Sequence, residues 1–459
     1  MKRVLYRFKW RKYHPQAFAR FEELMRNERL SLDELMAQQE QARQKIVRCA
    51  MERAAFYRKF YADAGFETGD IGKDGWFERL PVVTKKELRE HFDEFVVPES
   101  RQFLRVSTTG GSTGTPTKTG YDGRIPEEVY SWRLQNRFGV HPWDDHAYVW
   151  RDTRTGKFAQ FKNAALWWPT RHLKLNASFI TDEAIADFLR KFNRLKPTLL
   201  QGYVGAITQV AQYVLAHDGP RSCSCTSGRE TASPLLGTWR PKVVWTTSAP
   251  LRPSNRVLIE RAFGAPVCDE YGSCELRWVA CQCPECKGLH VNVEHVHIEF
   301  VDEKNRPVPK GEYGRTLLTN LEDEVFPLIR YENNDRGRWL KDPCACGRTL
   351  PCIDSVKGRE VEGFTLPSGK VINGEYLTTI FDAMPDVATN FRVVQHKDLS
   401  ITVEYVPGSV ALPESIPANF ENSIGHEVKV EFRKVESIQA DRGKLRFVVR
   451  EGTLVDCLI

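Results

Sequence analysis

Ser107-Thr108-Thr109-Gly110-Gly111-Ser112-Thr113-Gly114-Thr115-Pro116-Thr117-Lys118-Thr119 is the stretch from which the rest of the chain is read. Gly110, Gly111 and Gly114 sit among hydroxyl residues, with Pro116 closing the run. Glycine permits φ > 0 and close backbone approach, so successive amide N–H groups can converge on one anion. Ser112, Thr113, Thr115 and Thr117 add hydroxyl donors, and Lys118 adds a point charge. These are the parts of a polyphosphate cradle, although the Walker pattern G-x-x-x-x-G-K-[ST] cannot be read here. A flexible polar linker has the same composition, and the stretch alone leaves both readings open.

The chain has 459 residues, too many for one small core, which points to two or three domains. Hydrophobic residues at 41% and charged residues at 27% fit a soluble globular protein. The net charge, 66 − 60 = +6, suits anionic partners such as nucleotide or coenzyme phosphates. Lys2, Arg3, Arg7, Lys9, Arg11 and Lys12 crowd the N-terminus and read as a solvated basic arm, with a membrane-surface or partner contact as the alternative. No run approaches the ~18 apolar residues of a membrane span. The N-terminus lacks the apolar core of a secretory signal, so cytoplasmic residence is expected. The twelve cysteines then read as thiols and metal ligands rather than disulfides.

Residues 31–65 read as one long amphipathic helix. Ser31 and Glu34 form its capping box, Leu35, Ala42, Ile46, Cys49, Phe56 and Phe60 share a face, and Gly65 stops it. Pro81 to Glu87 reads as a turn and cap into another helix. Beyond Gly120 the pieces alternate as in α/β layers. Thr181 caps a helix ended by Pro197, Thr198–Leu200 is a buried strand, and Gly202 turns into a helix. Val243–Thr247 and Pro266–Cys268 are further strands, with a helix through Ile259 between them. From Val291 the texture becomes β. Val296, Ile298 and Phe300 alternate with His295, His297 and Glu299, which predicts a strand with the histidines on an outward face rather than on a metal. Arg315–Asn320 and Pro327–Tyr331 read as strands, and the last hundred residues as a separate small α+β domain.

Cys268-Asp269-Glu270-Tyr271-Gly272-Ser273-Cys274-Glu275 places a tyrosine and a carboxylate at a strand end, where open α/β sheets gather ligands. A tyrosine ring can stack on a base, and a carboxylate can hold Mg²⁺ against phosphate. Arg330-Tyr331-Glu332-Asn333-Asn334-Asp335 reads as a strand ending on a carboxylate suited to ribose hydroxyls. Gly358-Arg359-Glu360 marks the passage to the small domain. In Asp441-Arg442-Gly443-Lys444 a lysine stands on a tight turn before a strand. Each of these motifs is weak alone.

In this order and spacing the motifs resemble the adenylate-forming superfamily of acyl-CoA synthetases and adenylation domains, in its phenylacetate–CoA ligase and capsule-biosynthesis branch. Phe56-Tyr57-Arg58 and Leu80-Pro81-Val82-Val83-Thr84-Lys85 match further elements of that branch. The resemblance runs from about residue 31 to about residue 450. It implies an ATP- and acyl-binding N-terminal domain of layered sheets and helices over 1–357, hinged to a mobile α+β C-terminal domain over 358–459.

It also implies roles position by position. Gly111, Ser112, Thr113, Gly114 and Thr115 would grip the β- and γ-phosphates of ATP, Ser248, Ala249 and Pro250 would line adenine, and Tyr271, followed by Gly272, would stack on it. Glu275 would bind Mg²⁺, Asp335 the ribose hydroxyls, and Arg359 ribose or phosphate beside the hinge. Lys444 would approach the carboxylate and α-phosphate during adenylation only. Gly202 to Ala206 would border the acyl pocket, for which Trp132, Trp150, Trp167 and Trp168 are candidate walls or plain core. The chain departs from the family pattern at Thr117 with Lys118, at Cys274 before the glutamate, and at Glu360-Val361-Glu362 in the hinge.

Cys281, Cys283, Cys286, His290, Cys344 and Cys346 have the spacing of a structural zinc site in two close groups. The resemblance maps the ligands onto Cys283, His290, Cys344 and Cys346. Cys286 competes with His290 for the fourth position, while Cys281 and Cys352 are outsiders.

The activity expected is ATP-dependent activation of a small or aromatic carboxylic acid to an acyl-AMP and then a CoA thioester. The alternatives are transfer to an amine or hydroxyl acceptor, and a non-catalytic nucleotide binder of the same fold. Nucleic acid is not expected as a partner, since no basic recognition helix adjoins the cysteines. The oligomeric state stays open, a homodimer included.

Overall fold

The computed structural model describes residues 1–108, 118–150, 162, 164–177, 180–218, 235–285, 287–356, 364–368, 371–372, 387–424, 427–438 and 448–451. The chain divides into two compact units. One holds 3–141 and 270–357 with Met1, the other 142–269 and 358–459 with Lys2.

In the first unit, helix Leu32–Arg53 starts on the expected box, with the Ser31 side chain accepting from the Glu34 amide and Glu34 reaching back. It ends early. Ala54 is extended, and a second helix runs Ala55–Asp63, so the single helix expected over 31–65 is two. Packing overrides helical period here. Phe56 stacks on Phe95 at 4.1 Å, and the buried Tyr57 hydroxyl donates to the Pro327 carbonyl and accepts from the Ile329 amide. A second capping box, Thr84 with Glu87, opens helix Lys85–Glu90 as expected.

Three antiparallel strands, Val296–Val301, Gly314–Asn320 and Tyr331–Gly337, form the sheet behind these helices. Both faces of the first strand are covered, which corrects the half-exposed strand expected. His295 is 1% exposed and bonds the Arg277 carbonyl, His297 meets Gln39 and Phe77, and Glu299 pairs with Arg330 at 3.0 Å. Alternation of polar and apolar residues therefore marks two buried faces of different chemistry.

Pro327–Arg330 is not a strand. Arg330 has φ +47, and its buried guanidinium bonds Glu299 and the carbonyls of Glu78 and Leu80, so the strand begins at Tyr331. Asp335 consequently lies within a strand rather than at its end. A separate antiparallel ladder joins the end of strand Val267–Tyr271 to Ala280–Gln282, Leu289–Val291 and Cys352–Ile353.

The second unit contains parallel strands in the order His172–Asn176, His146–Trp150, Leu199–Tyr203, Val243–Thr247 and the start of Val267–Tyr271. Val243–Thr247 is buried along its whole length, as a strand covered on both faces should be. Helices Asp182–Leu195, Val204–Asp218 and Pro253–Phe263 cover the sheet through Phe188, Phe192, Ile207, Val210, Ile259 and Phe263. Thr181 caps the first of them by accepting from the Ala184 amide.

The same unit holds a four-stranded sheet, ordered Val430–Lys434, Ile401–Pro407, Ala388–Gln395 and Val448–Arg450, against helix Ser415–Ile424. Phe391, Val393, Val403, Ile416 and Phe420 make its core. This mixed sheet and helix is the small α+β element read from the sequence.

No helix among the described residues is long and apolar enough to cross a membrane.

Candidate active site and metal centre

Tyr271 ends its strand half-buried, and its hydroxyl donates to Asp335 Oδ2 at 2.8 Å. Asn333 Nδ2 donates to the same hydroxyl at 2.7 Å and to Asp335 Oδ2 at 2.5 Å, while Asn333 Oδ1 accepts from the Asp335 amide at 3.1 Å. Burial, with the Asp335 charge beside it, pushes the Tyr271 phenol well above its ordinary range, so it remains a neutral donor. Residues 333 and 335 meet Tyr271 together because they point to one face of strand Tyr331–Gly337, at a period of two. Asn334 between them has φ +64.

Glu275 is 5% exposed, and its Oε1 accepts from the Tyr331 hydroxyl at 3.0 Å. Tyr331 belongs to the same strand as Asp335, so one strand orients both carboxylates named from the sequence. Asn333 and Tyr331 stood inside the quoted motif without a role. Their spacing of two and four residues from Asp335 was the available signal, once 331–337 rather than 327–331 is read as the strand. Gly272 follows Tyr271 half-exposed, and Cys274 is exposed.

The glycine- and hydroxyl-rich stretch joins two paired strands, Leu104–Thr108 and Lys118–Asp122, whose last register is Thr108 with Lys118. Lys118 is exposed. Gly111, Ser112, Thr113, Gly114 and Thr115 lie outside the described residues, as do Cys286, Arg359 and Lys444.

In the second unit, Ser248, Ala249 and Pro250 follow the C-terminal end of strand Val243–Thr247, half-buried. Ser248 has φ +78, a left-handed conformation that costs a serine of order 1–3 kcal/mol and that accumulates at functional sites. At the same edge of the sheet Trp150 and Tyr203 lie ring to ring, 4.4 Å apart. Gly202 has no room for a side chain, since a Cβ there would fall 2.7 Å from the Val149 carbonyl. Trp150 and Tyr203 thus stand at the C-terminal ends of two adjacent parallel strands, the end at which open sheets bind ligands. Of the other tryptophans, Trp132 is core, 4% exposed among Tyr6, Trp10 and Phe18. Trp167 stacks on His172, and Trp168 is exposed.

The ligand atoms of Cys283, His290, Cys344 and Cys346 all lie within 4.8 Å of one another, the one such group among the described residues. Cys283 and Cys344 sulfurs are 3.6 Å apart, and Cys346 Sγ is 3.3 Å from His290 Nε2. Zn–S bonds of about 2.3 Å in a tetrahedron separate neighbouring sulfurs by slightly under 4 Å, so the set fits zinc. His290 Nδ1 donates to the Leu350 carbonyl at 3.1 Å, which leaves Nε2 as the lone pair. Burial and the nearby Arg137 hold this imidazole at about 4, hence neutral. Cys281 is buried outside the group, and Cys352 stands on the Nδ1 side of the ring, 3.2 Å away. Beneath the cluster, Glu28 accepts from Arg348 at 2.8 Å and from the fully buried Arg137 at 2.7 Å.

Comparison with known proteins gives three kinds of likeness. Residues 364–451 match the family model of the CapK C-terminal domain. The chain is 26% identical over 423 residues to a phenylacetate–coenzyme A ligase of Escherichia coli, covering 88% of this chain and 90% of that one. It is 24% identical over 412 residues to its namesake from Thermus thermophilus, covering 87% and 86%. The fold matches a 2-hydroxyisobutyryl-CoA ligase in the postadenylation state with 2-HIB-AMP at a TM-score of 0.71 and 21% identity, over 93% of this chain and 91% of that one.

Proposed function

We propose that this chain, a member of the phenylacetate–CoA ligase and CapK branch of the adenylate-forming superfamily, is an ATP-dependent ligase that converts a carboxylic acid to an acyl-adenylate and then to an acyl-CoA thioester. The observation that carries the reading is the polar cluster of Tyr271, Asn333 and Asp335 beside Glu275, set on the strand that the nucleotide motif occupies.

Asp335 offers carboxylate oxygens to the ribose hydroxyls. Tyr271 offers its ring to adenine, which Ser248, Ala249 and Pro250 also line. Asn333 fixes Tyr271 and Asp335, since it bonds to each. Glu275, oriented by Tyr331, would hold Mg²⁺ through a hard carboxylate oxygen, and the ion would there offset negative charge on the phosphates. Gly111 to Thr115 provide backbone and hydroxyl donors for the β- and γ-phosphates. An acid oxygen attacks the α-phosphorus, and the bond to pyrophosphate breaks with its electron pair. Lys444 and Arg359 bring cations to that step, where two anions must meet. The CoA thiolate then attacks the acyl carbon and AMP leaves. Residues 358–459, with Lys444, form the mobile domain that serves the two steps in turn.

Cys283, His290, Cys344 and Cys346 would hold Zn²⁺ as a structural staple between the ladder beyond Tyr271 and the loop at 344–346, away from the chemistry. The acid is aromatic or small. Trp150 and Tyr203 at the sheet edge favour a flat, apolar acyl group.

Transfer to an amine or hydroxyl acceptor in place of CoA is the variant reading. Incubation with ATP, Mg²⁺, CoA and a panel of aryl and short-chain acids tests both. AMP and thioester together support CoA as acceptor. Acyl hydroxamate and free AMP formed when hydroxylamine is added, with CoA left unacylated in its absence, support the variant. No AMP with any acid overturns the ligase.

A further inference from the structure

The first thirteen residues carry a surface that acid activation does not use. Helix Lys2–Tyr13 packs inward through Tyr6, 4% exposed, and through Trp10, whose ring lies 4.8 Å from Trp132. Its outer face is apolar. Met1, Val4 and Phe8 are 99%, 68% and 76% exposed, and at about 3.6 residues per turn they fall in one stripe. Cations border it, with Arg3 and Arg7 on one side, Lys12 on the other and Arg11 at its end. Arg3, Arg11 and Lys12 are exposed, and Arg7 pairs with Glu22 at 3.0 Å. Glu22 is also the first acidic residue of the chain, so no carboxylate within the helix offsets these charges.

Two properties have to be met by one partner. An apolar stripe needs an apolar layer, and its basic border needs anions at the same height. Nucleic acid would set phosphates against Met1, Val4 and Phe8. A second copy of the helix would set Arg3, Arg11 and Lys12 against themselves. An anionic bilayer satisfies both, because its headgroup phosphates overlie the acyl chains.

We propose that helix Lys2–Tyr13 docks the protein reversibly on an anionic phospholipid surface. Met1, Val4 and Phe8 enter the boundary between headgroups and acyl chains, while Arg3, Arg11 and Lys12 lie among the phosphates. The helix rests in the plane of the surface, since Tyr6 and Trp10 hold its other face to the protein.

Sedimentation of the full-length protein with vesicles tests this. Binding is expected to vesicles of phosphatidylcholine with phosphatidylglycerol and not to phosphatidylcholine alone, and to weaken as salt rises. The pair Val4→Ser with Phe8→Ser should lower the bound fraction about tenfold, with the melting temperature unchanged. Arg11→Gln with Lys12→Gln should lower it as well. Equal binding to both vesicle types overturns the proposal. So does binding to the anionic vesicles that ignores the Val4 and Phe8 changes, which would be plain charge attraction. If those changes instead abolish self-association measured without lipid, the stripe belongs to a second copy and the membrane reading falls.

Discussion

The Tyr271 hydroxyl donates to Asp335 Oδ2 at 2.8 Å, and Asn333 bonds both partners from two residues away on the same strand. The ring expected against adenine and the carboxylate expected at ribose are therefore one hydrogen-bonded unit. Asp335→Asn would remove the negative acceptor but keep the shape. Its KM for ATP should rise about tenfold or more, with a smaller change for 2′-deoxy-ATP, in steady-state kinetics.

Asn333→Ala tests positioning without touching the carboxylate. It removes the amide that holds Tyr271 and Asp335 together, so KM for ATP should rise while kcat changes little. A fall in kcat alone would assign Asn333 to the chemical step instead.

Removal of the metal should destabilise the first unit. Elemental analysis is expected to find about one zinc per chain in the wild type and none in Cys283→Ser or Cys344→Ser, since loss of one soft ligand opens the tetrahedron. The melting temperature should fall in both variants, and a strong chelator should reproduce the fall in the wild type.

Arg137 and Glu28 make a buried pair beneath the cysteine and histidine cluster, 2.7 Å apart. Burial raises the Glu28 carboxyl, and the guanidinium groups of Arg137 and Arg133 outweigh it, so the group sits below its ordinary range. A depressed carboxylate stabilises the fold fully above its unfolded value, about 4.3, and the contribution disappears as pH falls through the folded value. Arg137→Met should cost about 3–5 kcal/mol near neutral pH in denaturant unfolding. That difference from wild type should narrow below about pH 4, as Glu28 protonates.

Gly202→Ala forces a Cβ to within 2.7 Å of the Val149 carbonyl at the edge that carries Trp150 and Tyr203. The neighbour is backbone and cannot swing away. A loss of about 1–3 kcal/mol is expected from thermal unfolding.

Strand ends and caps were legible because their signals are local. Ser31 with Glu34, Thr84 with Glu87, and the run Val243–Thr247 all formed where their chemistry called for them. Cys283, His290, Cys344 and Cys346 converge, the four that the family resemblance implied, where spacing alone left Cys281 and Cys286 as further candidates. What was hidden depended on distant partners. Helix 31–65 breaks at Ala54 because Phe56 and Tyr57 turn toward Phe95 and Pro327. His295 and His297 are interior because Tyr130 and Phe77 cover a face that alternation alone assigns to water. Arg330 shifts a strand by its buried pairing with Glu299, and so places Asp335 mid-strand beside Asn333.

The most direct test of carboxylate adenylation is acid-dependent exchange of labelled pyrophosphate into ATP. Exchange is expected with at least one aryl or short-chain acid, lost in Lys444→Ala and strongly reduced in Glu275→Gln. Exchange absent across the panel, in a folded protein that binds ATP, would mean that this chain does not adenylate carboxylic acids.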